Sequence, residues 1–147
     1  GFDFCPAFWD WLVQQNAAGR LFSIEKIRGE FAPMSDDLKA WADERGEGFF
    51  LPEDATMLES MPKVTAWVRS QSYRPAAVST FLQDPDFYLV AYALAHGHVV
   101  VTHETPGGGP KEVKIPDACT GLGVKFMTTF QMLRMEKARF VLQAGGA

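Results

Sequence analysis

The stretch from Asp86 to Glu104, "DFYLVAYALAHGHVVVTHE", constrains the fold more than any other part of the chain. Its first half is apolar on nearly every side of a helix, which is typical of a buried helix. Gly97 can end that helix in the left-handed conformation. The β-branched run 99–101 then predicts an interior strand of a parallel sheet that is covered on both faces. The stretch therefore predicts one buried unit with a carboxylate at each end.

Helical patterns dominate the chain before this stretch. Apolar residues recur at helical spacing, with capping or turn residues at the ends, over 6–18, 23–31, 35–45, 55–71 and 74–83. Ser35 is a suitable cap for the third of these helices, and Pro62 is a point at which the fourth could divide in two.

Shorter elements follow the stretch. "KEVKI" (111–115) and "VKFM" (124–127) are predicted to be two short strands with a short helix or turn between them, and Thr128 or Thr129 is predicted to cap a closing helix. The order predicts an α/β domain with a helix-rich N-terminal half and a small central parallel sheet flanked by helices. Sites in such folds form at the carboxyl ends of strands, which is where Thr102 and Glu104 lie.

Composition and charge narrow the class of protein. With 147 residues and 47% hydrophobic content, the chain can bury a substantial core. The 14 basic and 18 acidic residues give a net charge of −4, which is not that of a protein that coats nucleic acid by general electrostatics. The absence of a long apolar span or signal-like start predicts a cytoplasmic protein without membrane contact. Cys5 and Cys119 lack metal-site spacing, so we interpret them as reduced thiols.

Several separated motifs resemble a known family. The order acid, alanine-rich apolar helix, glycine, β-branched strand and Thr-x-acid, running from Asp86 through Gly97 to Thr102–Glu104, resembles the signature of PIN-domain nucleases. Four other segments are similar to the hallmarks of a bacterial PIN-like group, long catalogued as a domain of unknown function and related to VapC-type toxins: "FCPAFWDWL" (4–12), "SIEKIRGEF" (23–31), "FFLP" (49–52) and "VKIPDACTGLGV" (113–124).

The resemblance implies a PIN-like three-layer fold and a metal-dependent endoribonuclease that is the toxin of a toxin–antitoxin pair. Carried over residue by residue, it implies that Glu30, Asp86 and Glu104 hold Mg²⁺ or Mn²⁺ and that Thr102 steadies the site by hydrogen bonding. Mg²⁺ prefers such hard oxygen ligands and can activate water for phosphodiester hydrolysis. The implied partners are an RNA substrate, an antitoxin protein and, in a homodimer, a second copy.

One departure limits what carries over. The family begins with a strand that ends in a central metal-binding aspartate, whereas this chain opens at "GFDFCPAFWDW", already at its first helix. We therefore expect residues 1–142 to form a single, N-terminally incomplete PIN-like domain, followed by a loose tail at 143–147. The net negative charge and the missing strand favour an alternative function, a PIN-like protein-interaction module without catalysis.

Each candidate acid also has a structural interpretation. Asp86 alone is typical of a helix N-cap. Glu30 is four residues from Lys26 and could simply pair with it. Glu104 alone has the pattern of a solvated loop residue before Pro106.

Overall fold

A computed structural model describes residues 6–31 and 33–135 of the chain. The chain divides into two compact units at the bond between Pro52 and Glu53, and each unit is described by itself below. Both contain helices and a small parallel sheet, which confirms the α/β prediction. Cys5 and the tail 143–147 lie outside the described residues, and the single-domain assignment stays a prediction.

The described residues of the first unit form three helices and a two-stranded sheet. Its elements are α1 (Pro6–Ala17), β1 (Ser23–Ile24), α2 (Glu25–Arg28), α3 (Asp36–Arg45), a 3₁₀ turn (Gly46–Gly48) and β2 (Phe50–Leu51). The strands are parallel, with Ser23 opposite Phe50. The helix predicted over 23–31 is shorter than expected, because Ser23 joins the sheet and donates its amide hydrogen to the Phe49 carbonyl (2.8 Å).

Aromatic side chains form the core of the first unit. Trp41, Phe49 and Phe50 are buried, and the ring of Trp9 from α1 meets the Trp41 ring edge to face at 4.9 Å between centroids. The predicted Ser35 cap is confirmed, since its hydroxyl accepts a hydrogen bond from the Leu38 amide at 3.0 Å. Trp9 and Trp41 are therefore packing residues.

Five helices and the other sheet lie in the part of the second unit that the structure describes. Its elements are α4 (Ala55–Ser70), α5 (Pro75–Gln83), α6 (Pro85–His96), β3 (Val100–Val101), a 3₁₀ turn (Gly109–Lys111), α7 (Ile115–Leu122), β4 (Phe126–Met127) and α8 (Thr129–Met135). Pro62 lies inside α4 without ending it. Gly97 ends α6 at φ 68°, in the predicted left-handed conformation. Thr128 caps α8, because its hydroxyl accepts from the Gln131 amide at 3.1 Å.

Two strand predictions for this unit are wrong. Val100 is 3% exposed, but Val99 and Val101 are 41% and 37% exposed, so the valine strand is covered on one face. Among the described residues, it pairs in parallel with β4 alone. "KEVKI" forms no strand: Lys111 ends the 3₁₀ turn and Ile115 begins α7. Pro116, in the first turn of α7, favours helix there.

α4, α6 and α7 surround the core of the second unit. Its buried members include Met57, Val64, Val68, Val90, Ala91 and Cys119. Burial raises the pKa of the Cys119 thiol to about 12, with a smaller contribution from the negative charge of Glu104. Cys119 is therefore a protonated packing residue at neutral pH. Among the helices of the described ranges, none has both the length and the apolar character needed to cross a membrane.

Gly121 allows α7 to approach α4 closely. A β-carbon at this position would overlap the indole ring of Trp67, including its Nε1 atom. Gly121→Ala is therefore expected to lower the free energy of unfolding by about 1–3 kcal/mol through overpacking. Chemical denaturation monitored by circular dichroism measures this change. Gly48→Ala is the matched control, since a β-carbon there meets no atom within 4 Å; equal losses in both variants would contradict the proposed overlap.

Candidate functional site

The start of α6 presents two carboxylates. Asp84 is the N-cap residue, and its Oδ1 accepts a hydrogen bond from the Asp86 amide at 2.9 Å. Pro85 occupies the first helical position, where its missing N–H costs nothing. Asp86 is therefore not the N-cap, contrary to the structural interpretation of that residue. Its carboxylate lies in the first turn of α6 and is partly buried.

The carboxyl end of β3 is tied into the unit by hydrogen bonds. Thr102 is 8% exposed; its amide donates to the Met127 carbonyl at 3.0 Å, and its hydroxyl accepts from the Glu104 amide at 3.1 Å. Glu104 Oε2 in turn accepts from the Ile115 amide at 2.9 Å, at the N-terminus of α7. Glu104 is thus a fixed, partly buried side chain rather than a solvated loop acid.

The start of α6 and the end of β3 meet at one cavity. Its volume is about 320 Å³, and its polar lining consists of Thr80, Asp84, Asp86, Glu104, Lys111 and Glu112. Asp86 and Glu104, which are 18 positions apart in the chain, therefore line the same space. A shared site for these two acids is what the resemblance to PIN-domain nucleases implies.

Glu30 belongs to the first unit. It lies in the turn after α2, its amide donates to the Ile27 carbonyl at 2.9 Å, and its side chain is exposed. Its part in a metal site stays a prediction.

The donor atoms of this cavity suit a divalent cation. Glu104 uses one carboxylate oxygen for the Ile115 amide, and Asp84 uses one for the Asp86 amide. Within the described part of the chain, the other oxygen of each makes no hydrogen bond. Gathered carboxylates repel one another unless a cation compensates them, and hard oxygens are the ligands that Mg²⁺ and Mn²⁺ favour.

The backbone amides of the glycine-rich loop that precedes Lys111 bind an acid of the same unit. The Asp117 carboxylate accepts hydrogen bonds from the Gly107 and Gly108 amides at 3.1–3.3 Å. These backbone donors could otherwise cradle a phosphate. Asp117 therefore holds this loop within the second unit, and sequence analysis gave no role to Asp117, Asp84 or Lys111.

A side-chain hydrogen bond links the beginning of α4 to the end of α6. Asp54 caps α4 through the Met57 amide (2.8 Å) and pairs with His96 Nε2 at 2.7 Å. The Met57 amide, and to a lesser extent His96, lowers the pKa of the Asp54 carboxyl, although partial burial opposes this effect. This contact gives His96 a structural role.

Comparison with known proteins gives one match. A family model described as "Domain of unknown function (DUF4411)" matches residues 1–140, which is nearly the whole chain. No curated protein and no solved structure matches the chain.

Proposed function

We propose that this chain, which belongs to the family described as "Domain of unknown function (DUF4411)", is a metal-dependent endoribonuclease with a PIN-like three-layer fold. In this proposal it acts in the cytoplasm as the toxin of a toxin–antitoxin pair. Its partners are an RNA substrate and an antitoxin protein. The resemblance of its motifs to PIN-domain nucleases supplies the reaction and the partners.

One observation carries the proposal. Asp86 and Glu104 come from different elements, yet both line the cavity of about 320 Å³ at the carboxyl end of β3. These are the two acids of the second unit that the PIN resemblance assigns to the metal. Asp84 adds a third carboxylate at the same place, and Thr102 holds the backbone of Glu104 at 3.1 Å.

Each residue has a defined part in the proposed reaction. Asp86 and Glu104 hold Mg²⁺ or Mn²⁺, with Asp84 and the predicted ligand Glu30 as further carboxylate donors. When bound, the cation activates water and offsets negative charge on the phosphate. Thr102 keeps the backbone of Glu104 in place, and the Ile115 amide binds one Glu104 oxygen, which would leave the other oxygen to hold the cation.

The test is cleavage of single-stranded RNA by the full-length protein. We expect endonucleolytic products in Mg²⁺ or Mn²⁺, loss of cleavage when a chelator removes the metal, and recovery when the metal is restored. Asp86→Asn protein, purified in the same way, controls for contaminating nuclease. Cleavage that is unchanged in chelator would contradict a metal-dependent reaction.

The non-catalytic alternative has its own supporting observation. The Glu104 carboxylate caps α7, a role that requires no metal. Binding of a partner protein without any RNA cleavage, under both metals, would favour this interaction module over the nuclease.

A further inference from the structure

The acidic cavity has one cationic side chain in its described lining. Lys111 lies there with Asp84, Asp86, Glu104 and Glu112. Although these acids line the same cavity, none of the ion pairs among the described residues involves Lys111. Its ammonium group therefore remains available to a ligand that enters the cavity.

Two sets of hydrogen bonds anchor the backbone just before Lys111. Its neighbour Pro110 accepts a hydrogen bond from the Arg74 amide at 2.8 Å, which ties the 3₁₀ turn to the start of α5. On the N-terminal side of the turn, Asp117 binds the amides of Gly107 and Gly108. These bonds fix the backbone of the turn that places Lys111 in the cavity lining.

An RNA phosphate needs such a group in this setting. Phosphodiesters are anions, and four carboxylates around the cavity would repel them. A divalent cation compensates for part of this charge, but a chain of net charge −4 gives no general attraction for RNA. The lysine ammonium is a compact charge with three donors, which suits a non-bridging phosphate oxygen.

We infer that Lys111 is a substrate-binding residue that contacts a phosphate of the RNA strand at this cavity. The inference rests on the proposed nuclease function and deepens it. Asp86 and Glu104 hold the metal, whereas Lys111 holds the polyanion. Removal of Lys111 therefore weakens RNA binding without weakening metal binding.

Steady-state cleavage kinetics test this division of roles. For Lys111→Ala we expect KM for a short single-stranded RNA to rise about 10-fold and kcat to stay within about twofold. The slope of log(kcat/KM) against log[salt] should become shallower by about 1, because one phosphate contact is lost. Lys111→Arg keeps the charge and should restore most of the affinity.

Two controls make the result specific. Lys63→Ala removes an exposed lysine of α4 in the same unit and should leave KM unchanged. Calorimetric titration with Mn²⁺ in the absence of RNA should give the same affinity, or a tighter one, for Lys111→Ala. Circular dichroism melting confirms that each variant is folded.

The outcomes separate the inference from the proposed function. Suppose that the protein without substitutions cleaves RNA. An equal KM for Lys111→Ala, or a loss confined to kcat, would then overturn the role of Lys111 alone. Unchanged protein that neither cleaves RNA nor binds Mn²⁺ would overturn the proposed function and this inference with it.

Discussion

Asp86→Asn is expected to slow RNA cleavage at saturating Mg²⁺ or Mn²⁺ by about 100-fold or more, since the loss of an outer-sphere partner already costs about 10–100-fold. The substitution is nearly isosteric and removes the negative charge that would hold the cation. The start of α6 should survive it, because the N-cap is Asp84, whose Oδ1 binds the residue-86 amide. The measurement is the initial cleavage rate of a labelled RNA over a metal titration.

Glu59→Gln is the matched control for Asp86→Asn. Glu59 is an exposed acid on α4, in the same unit but outside the cavity lining. Glu59→Gln removes one negative charge, as Asp86→Asn does, and should cleave RNA at the rate of the unchanged protein. Equal rates for Asp86→Asn and the unchanged protein would remove Asp86 from the reaction and contradict the nuclease assignment.

Local signals were sufficient to predict most of the helices. These signals are the helical spacing of apolar residues, the Ser35 cap and the left-handed Gly97. Each depends on residues within one or two helical turns. The start of α6 was also readable in principle. An aspartate followed by proline places Asp84 at the N-cap and Pro85 at the first helical position, which leaves Asp86 inside the helix.

The strand predictions failed because a strand requires a partner. Val113 and Ile115 alternate as they would in a strand, but alternation alone does not specify a neighbouring strand. Ile115 instead begins α7, where its amide binds Glu104, 11 residues earlier in the chain. The valine run was assigned two covered faces, but Val101 is 37% exposed. The sequence of a strand does not by itself specify which of its faces other elements will cover.

The cavity was only half predictable for the same reason. Asp86 and Glu104 were identified by a motif in one continuous stretch, and the structure places both at the same cavity. Lys111 reaches the cavity through a turn whose position depends on distant partners. For Lys111 these partners include the Arg74 amide, which binds Pro110 from the start of α5.

Two different replacements of Glu104 are expected to separate its capping of α7 from its part in metal binding. Glu104→Ala removes both the charge and the acceptor for the Ile115 amide, leaving a donor of a 5%-exposed residue without its partner. The free energy of unfolding should fall by about 1–3 kcal/mol. Glu104→Gln keeps a side-chain oxygen that can accept this bond, so its stability should stay within about 1 kcal/mol of the unchanged protein.

Cleavage should respond differently from stability. Both variants lack the charge that would hold the cation, so both should cleave RNA about 100-fold more slowly or worse, as measured by initial rates at a temperature where each is folded by circular dichroism. Glutamine is the informative case, because it preserves the cap on α7 and loses only the charge. A Glu104→Gln protein that is both stable and fully active would make Glu104 a capping residue alone. The metal site would then have to be built without the end of β3.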